Sequence, residues 1–150
     1  MATLSTQDLQ IDDLSGTWVK DELTGSWGPG NWNKVRLTAT VKVELNDAES
    51  TNLIYHGVNY IVQSSVWGID GNLLNGNNDN LFYFPDQQMT TREGTGTYTF
   101  SKVIDRAVLN EDHSWFNRDD EISASFSLVS FNQFAPLNVS IMTPIYRGYF

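Results

Sequence analysis

The strongest constraint in this sequence is a strict alternation of apolar and polar side chains over residues 35–45. Because successive side chains of a β-strand point to opposite faces, this period of two predicts a strand with one face in the core and the other in water. An amphipathic helix would instead repeat its apolar residues three and four positions apart. The apolar face consists of Val35, Leu37, Ala39, Val41, Val43 and Leu45.

The same alternation recurs along the chain. It is seen at Ile122, Ala124, Phe126 and Leu128, at Leu137, Val139 and Ile141, and at Tyr98 and Phe100. Residues 57–67 and 80–84 are extended by their β-branched and aromatic content. Turn-forming residues predict loops at residues 25–33, 47–52, 68–80, 85–96 and 110–120. Helix should be minor, with its best place at residues 5–11, where Ser5 and Asp8 have capping-box spacing.

These patterns predict one all-β domain over residues 1–150. The chain length suits a single domain, and a hydrophobic content of 40% is enough to form a core. The fold we predict is an antiparallel β-sandwich of about seven to nine strands. The alternative is a closed β-barrel.

One short motif is similar to a motif of a known family of β-barrels. The segment Leu14-Ser15-Gly16-Thr17-Trp18 resembles the G-x-W opening of lipocalins and other calycins. The resemblance implies a calycin-like barrel in which Trp18 is structural, Arg147 packs on its ring, and the interior binds or transforms an apolar small molecule. The chain departs from lipocalins in having no T-D-Y segment and no helix pattern after the last strands.

Charge and composition exclude several classes of partner. Acidic residues outnumber basic ones by 18 to 9, and a net charge of -9 repels a phosphate backbone, so we expect no nucleic-acid partner. No apolar run is long enough for a membrane span, and the N-terminal residues show no signal-peptide pattern. The expectation is therefore a soluble protein that is cytoplasmic or exported by a non-classical route. The absence of cysteine excludes disulfides, thiol catalysis and cysteine zinc sites.

Two loops are rich in carboxylate and amide oxygens, which are the ligands that calcium prefers. The candidate calcium ligands are Asp112, Asp119 and Asp120, and the candidate acceptors for the hydroxyl groups of a ligand are Asp70, Asn72 and Asp79. EF-hand spacing fails because Leu74 occupies the third ligand position. Asn, Asp and Gly are equally typical of plain turns, so the metal and turn interpretations both stay open, and otherwise no cofactor is expected.

No motif supports catalysis. The loop at residues 110–120 could supply a carboxylate pair for glycoside hydrolysis, but that chemistry needs a separation of about 5–10 Å, which sequence does not reveal. His113 stands beside Asp112 and Ser114, yet neighbouring side chains on a strand point to opposite faces. His56 and His113 lack zinc-site spacing. A binding protein is therefore favoured over an enzyme.

Tryptophans in loops are the strongest hint of a ligand. Trp27 and Trp32 bracket Gly28, Pro29 and Gly30, and Trp115 occupies another predicted loop. An exposed indole stacks on the C–H faces of a sugar and donates one hydrogen bond. The alternative is that these rings cap the ends of the β core.

The C-terminal segment, residues 130–150, is aromatic and carries little charge. This composition predicts either an interior strand or an exposed edge strand that pairs with a second subunit of a homo-oligomer. The function we predict is a non-enzymatic, lectin-like module that binds a carbohydrate or another small ligand through its tryptophan loops. The alternatives are a self-assembling subunit that uses its C-terminal strand and the calycin-like barrel.

Overall fold

The computed structural model describes residues 1–14, 18–29, 34–69, 78–89, 94–110, 120–148 and 150. Within these ranges the chain forms antiparallel β-sheets that pack as a sandwich, which confirms the predicted fold class. The two large sheets contain four and six strands, and a separate hairpin adds two more, so the described ranges hold more strands than the seven to nine predicted. No sheet closes on itself in the described ranges, so the barrel alternative is not formed.

The first sheet is built around the predicted alternating strand, β5 (Lys34–Glu44). One edge of β5 pairs along its whole length with β9 (Thr95–Asp105). The other edge pairs with β1 (Thr3–Thr6) and β2 (Gln10–Asp13). The predicted face assignment is confirmed, because Val35, Leu37, Ala39, Val41 and Val43 are all 0% exposed.

The helix predicted at residues 5–11 is wrong. Thr6 pairs with Val41 and Gln10 pairs with Thr38, so three residues of the N-terminal segment oppose two of β5. The extra residue of this β-bulge reverses which side chains face inward. Leu4 before the bulge and Leu9 after it therefore both pack in the core, although they are an odd number of residues apart. Pairing with the long central strand therefore overrides the local capping signal.

The second sheet has β6 (Ile61–Gly68) and β10 (Asp120–Ser130) at its centre. Short strands complete both edges: β7 (Asp79–Tyr83) and β8 (Gln87–Gln88) on β6, and β11 (Leu137–Met142) and β12 (Tyr146–Gly148) on β10. The predicted inward face of β10 is confirmed at Ile122, Ala124, Phe126 and Leu128. The run predicted from residue 57 begins as a strand only at Ile61, and β8 interrupts the loop predicted at residues 85–96.

The loop predicted at residues 47–52 is wrong, because these residues form a helix. This helix, α1 (Asp47–Tyr55), has a capping box in which the Asn46 side chain accepts from the Glu49 N–H and the Glu49 carboxylate accepts from the Asn46 N–H. Reciprocal bonds of this kind satisfy backbone donors that a helix N-terminus otherwise leaves unpaired. Glu49 also accepts from the Ala2 N–H at 3.1 Å, which ties the N-terminal segment to the helix.

Aromatic rings join the two sheets across the core. Phe82 and Phe84 lie 5.3 Å apart between centroids, Phe84 and Phe100 lie 5.6 Å apart, and Phe100 and Phe126 lie 5.9 Å apart. Phe100 belongs to β9 and Phe126 to β10, so this series of contacts fixes how the sheets face each other.

A separate hairpin, formed by β3 (Trp18–Lys20) and β4 (Trp27–Pro29), replaces part of the loop predicted at residues 25–33. Trp18 is 67% exposed, and the Arg147 guanidinium pairs with Glu121 at 3.0 Å. The structural role that the calycin resemblance gave to Trp18, with Arg147 packed on its ring, is therefore wrong. The hairpin is anchored instead at Asp21, whose carboxylate accepts from the Asp105 N–H.

Candidate functional site

Few of the predicted site residues are described. Trp32, Trp115, Asp70, Asn72, Asp112 and Asp119 lie outside the described residues. Trp27 is 61% exposed on the hairpin. Asp79 is exposed at the start of β7, whereas Asp120 is buried at the start of β10. Gly68 pairs with Asp79 on one side and with Ile122 on the other, so both carboxylates lie at the same end of the second sheet.

The outer face of the second sheet is rich in serine. Because Phe126 and Leu128 face the core, the intervening residues Ser125 and Ser127 face outward. The register of β6 with β10 places Ser65 opposite Ser125 and Gln63 opposite Ser127. Two rows of polar side chains therefore run across these strands.

The indole of Trp67 organises the first of these rows. Its Nε1 lies 2.9 Å from the hydroxyl oxygens of both Ser65 and Ser125, and the two oxygens lie 2.8 Å apart. The donors in this group are the Trp67 N–H and the two serine hydroxyls. A further hydrogen bond from the Ser125 hydroxyl to the Ser65 carbonyl is long, at 3.5 Å. Because one of these hydroxyls donates to the other, the proton of the second hydroxyl is available to a ligand.

The wall of the site comes from the segment that follows β7. Tyr83 is 68% exposed and stands opposite Ser65, and Asp86 lies within 3.4 Å of the Gln63 amide nitrogen. The first sheet holds this wall, because the Lys102 ammonium donates to the Tyr83 carbonyl at 3.1 Å. The tyrosine backbone is thus fixed while its ring stays accessible.

Together these residues form a cleft of about 390 Å³ on the outer face of the second sheet, which we call the sheet cleft. It is lined by Gln63, Ser64, Ser65, Trp67, Tyr83, Phe84, Asp86, Ser125 and Ser127. The lining offers two accessible aromatic groups, hydroxyls that donate and accept, one amide and one carboxylate. This combination suits a small ligand that has both apolar faces and many hydroxyl groups.

Among the described residues, one carboxyl group with a shifted pKa, Asp21, lies outside the sheet cleft and has a structural role. Burial raises the pKa of Asp21, but hydrogen bonds from the Thr24 and Leu23 N–H groups and the charge of Lys34 outweigh it and hold that pKa below the ordinary value of 3.8. Asp21 is 1% exposed, and its oxygens are occupied by Leu23, Thr24 and Asp105. The group therefore anchors the hairpin to β9 and is not presented to a ligand.

Within the described ranges, no three His, Cys, Asp or Glu side chains are grouped closely enough to hold a metal ion. The calcium ligands predicted at Asp112 and Asp119 fall outside those ranges, so calcium stays a prediction. In the same part of the chain, no helix has the length and apolar character needed to cross a bilayer.

Sequence reasoning missed the sheet cleft for a specific reason. The alternation around Ser123, Ser125 and Ser127 predicts a wet strand face, and Trp67 ends a predicted extended run. Only the non-local register brings Trp67 and Ser65 beside Ser125. An outward tryptophan on a strand whose partner is serine-rich is the signal that points to this site.

Comparisons with known proteins give no family. No protein-family model matches the chain, and no curated protein matches it. Among solved structures, the chain is similar to a crystal structure of a protein from Archaeoglobus fulgidus, with 12% sequence identity and a TM-score of 0.47. The match covers 97% of this chain and 98% of that chain. A likeness this distant carries no inference about function.

Proposed function

We propose that this protein is a non-enzymatic binding module that recognises a saccharide in the sheet cleft. The observation that carries the proposal is the placement of the exposed Tyr83 ring and the Trp67 indole around a floor of serine hydroxyls. Aromatic faces pack against the C–H faces of sugars, and neutral hydroxyl and amide groups exchange hydrogen bonds with sugar hydroxyls. The proposed site differs from the predicted tryptophan loops, while the proposed ligand class is the one predicted from the sequence.

The side chains of the sheet cleft are also pre-organised for binding. Its floor lies on the two central strands of the second sheet, and the Ser65, Ser125 and Trp67 contacts hold the side chains in place before a ligand arrives. A site whose groups are already ordered loses less conformational entropy on binding. Displaced water is replaced by ligand hydroxyls of similar hydrogen-bonding capacity.

Hydrolysis is a poorer match to the same residues. Asp86 is the one carboxylate among the residues that line the sheet cleft, whereas glycoside hydrolysis uses a pair. His56, the histidine within the described ranges, follows α1 and is not among the lining residues. The arrangement is therefore suited to recognition.

Isothermal titration with a panel of neutral oligosaccharides tests the proposal. Tyr83→Ala should weaken binding about tenfold, which corresponds to about 1.4 kcal/mol of lost stacking. Tyr55→Ala is the matched control, because Tyr55 is also a solvent-exposed tyrosine, at 78%, but lies on α1. Absence of heat with every sugar at millimolar concentration would refute saccharide binding.

A third variant locates the site. Trp27 is 61% exposed and was predicted to stack on the ligand. If Trp27→Ala abolishes binding while Tyr83→Ala leaves it intact, the ligand sits on the hairpin and the sheet cleft is the wrong site. The proposal expects the opposite pattern.

A second candidate function, self-assembly, is favoured by two exposed rings. Phe131 and Phe134 are 80% and 88% exposed in the connection between β10 and β11. Tyr146 and Phe150, by contrast, pack against the core. An assembling subunit should sediment as a large or growing particle that Phe134→Lys dissolves, and a monodisperse species insensitive to that change would eliminate this candidate. The apolar-ligand alternative required a closed barrel, which the described sheets do not form.

A further inference from the structure

One of the two polar rows of the sheet cleft, the row of Gln63 and Ser127, continues from β10 onto β11. The register of β10 with β11 places Ser140 opposite Ser127 and Met142 opposite Ser125, on the same outer face. The Ser127 and Ser140 hydroxyl oxygens lie 2.9 Å apart, and Ser140 is exposed. The surface that begins at Tyr83 therefore continues across β11.

The length of this surface exceeds one sugar ring. It crosses the strands in the order β7, β6, β10 and β11. Neighbouring strands lie about 4.8 Å apart, so three intervals give about 14 Å from β7 to β11. A ligand that uses the whole surface must run across the strands and must contain several linked rings.

The charge of the surface selects among such ligands. Asp86 is the charged side chain among the lining residues, and the protein as a whole carries a net charge of -9. The neighbouring Lys102 ammonium is engaged by the Tyr83 carbonyl and lies 5.6 Å from the centre of the Phe82 ring. Uronic or sulfated sugars would therefore be repelled, whereas neutral sugars would not.

The serine hydroxyls provide hydrogen-bonding groups in a row that runs across the strands. Ser127 and Ser140 share one hydrogen bond between two hydroxyl groups, which leaves one proton and several lone pairs for a ligand. Together with Gln63 they provide polar contacts at intervals of one strand spacing, while Tyr83 provides an aromatic surface at one end. Repeated polar contacts that follow one stacking contact fit a chain of similar units.

We propose that the sheet cleft and its continuation over β11 bind a linear, neutral glycan of at least three sugar units, laid across strands β7, β6, β10 and β11. This inference rests on the proposed saccharide function and adds the class, length and direction of the ligand. Tyr83 stacks on one terminal part of the glycan, and Ser140 contacts the part farthest from it. Ser140 is a ligand-contacting residue in this arrangement.

Titration calorimetry with cello- and malto-oligosaccharides of one to six units tests the inference on the full chain. Affinity for the series that binds should rise at least tenfold from the disaccharide to the tetrasaccharide and then level off. Ser140→Arg should remove most of that increase but leave disaccharide affinity within about twofold, because the new side chain covers only the β11 end. Ser101→Arg is the matched control, since Ser101 is an exposed serine on β9 of the other sheet, and it should change neither value.

The outcomes separate the two proposals. Equal affinity for the disaccharide and the tetrasaccharide, or a tetrasaccharide unaffected by Ser140→Arg, overturns the linear-glycan inference while saccharide binding stands. Tighter binding of an oligogalacturonate than of a neutral oligomer of equal length overturns the choice of a neutral ligand. Binding of none of these sugars refutes the proposed function itself.

Discussion

Asp21 provides the sharpest test of how the hairpin is attached to the sandwich. Its Oδ1 accepts from the Leu23 and Thr24 N–H groups at 2.9 and 3.0 Å, and its Oδ2 accepts from the Asp105 N–H at 3.2 Å. The Lys34 ammonium lies 3.5 Å from the same Oδ2. The change Asp21→Asn keeps the shape of this side chain but replaces one acceptor by a donor.

The expected loss follows from these contacts. Whichever way the amide is oriented, its NH₂ group faces a backbone N–H, and a buried donor without an acceptor costs about 1–3 kcal/mol. Loss of the negative charge beside Lys34 adds about 1 kcal/mol, because Lys34 keeps its closer partner Asp105 at 2.6 Å. We therefore expect Asp21→Asn to lower the free energy of unfolding by about 2–4 kcal/mol, measured by urea titration.

A matched variant separates the hydrogen bonds from the charge. Asp105 also pairs with Lys34, at 2.6 Å, but its side chain is 45% exposed. Asp105→Asn should therefore cost less than about 1 kcal/mol, as exposed ion pairs do. Equal losses in the two variants would refute the claim that the buried acceptors, and not the ion pair, hold the hairpin.

The pH dependence gives a second check on Asp21. Its pKa is lower in the folded chain than the ordinary value of 3.8, so the unfolded chain takes up the proton first as the pH falls. The stabilisation is complete above pH 3.8 and is lost as the pH drops through the folded pKa. The stability difference between the wild type and Asp21→Asn should therefore be constant above about pH 5 and shrink below 3.8. A difference that does not change with pH would contradict this assignment.

Three further predictions concern the strand register, the helix cap and the acidic loops. Val41→Asp places an unpaired charge on the core face and should cost about 3 kcal/mol or more, whereas Thr40→Asp on the opposite face should cost less than half of that; equal losses in urea would show that the register is wrong. Asn46→Ala removes the side-chain acceptor of the α1 cap and should cost about 1 kcal/mol, with faster amide exchange in the first turn, and unchanged exchange would show that the cap is dispensable. Calcium binding by the two acidic loops predicts a higher melting temperature in millimolar calcium than in magnesium, and identical curves in calcium and EDTA would eliminate it.

The sequence predicts those parts of the fold in which local pattern and burial agree. The alternation in β5 and β10 is strict, and both strands are central, so a slip of one residue would expose a whole apolar face. The helix prediction failed because Ser5 and Asp8 resemble a cap, yet this segment lies along β5, where extended pairing is available. The true helix was signalled by Asn46 and Glu49, which also have capping-box spacing.

The sheet cleft could be predicted only in part. A serine-rich outer face of β10 follows directly from its alternation. The neighbours of that face depend on the pairing of Ser65 with Ser125, which are 60 residues apart, and on the wall at Tyr83, which Lys102 holds from the other sheet. Such contacts arise from tertiary packing between distant residues, so they cannot be predicted from the local sequence. Loop tryptophans were the more visible signal, although the floor of the site lies on strands.

The central claim is that a saccharide binds on the outer face of the second sheet. Amide chemical-shift mapping by NMR during titration with a neutral tetrasaccharide tests it most directly, because every backbone N–H reports its own surroundings. The largest shifts should fall at residues 63–67, at Tyr83, Phe84 and Asp86, and at residues 125–127, and they should extend to Ser140. Shifts confined to the hairpin of Trp18 and Trp27, or no shifts at millimolar sugar, would contradict the claim.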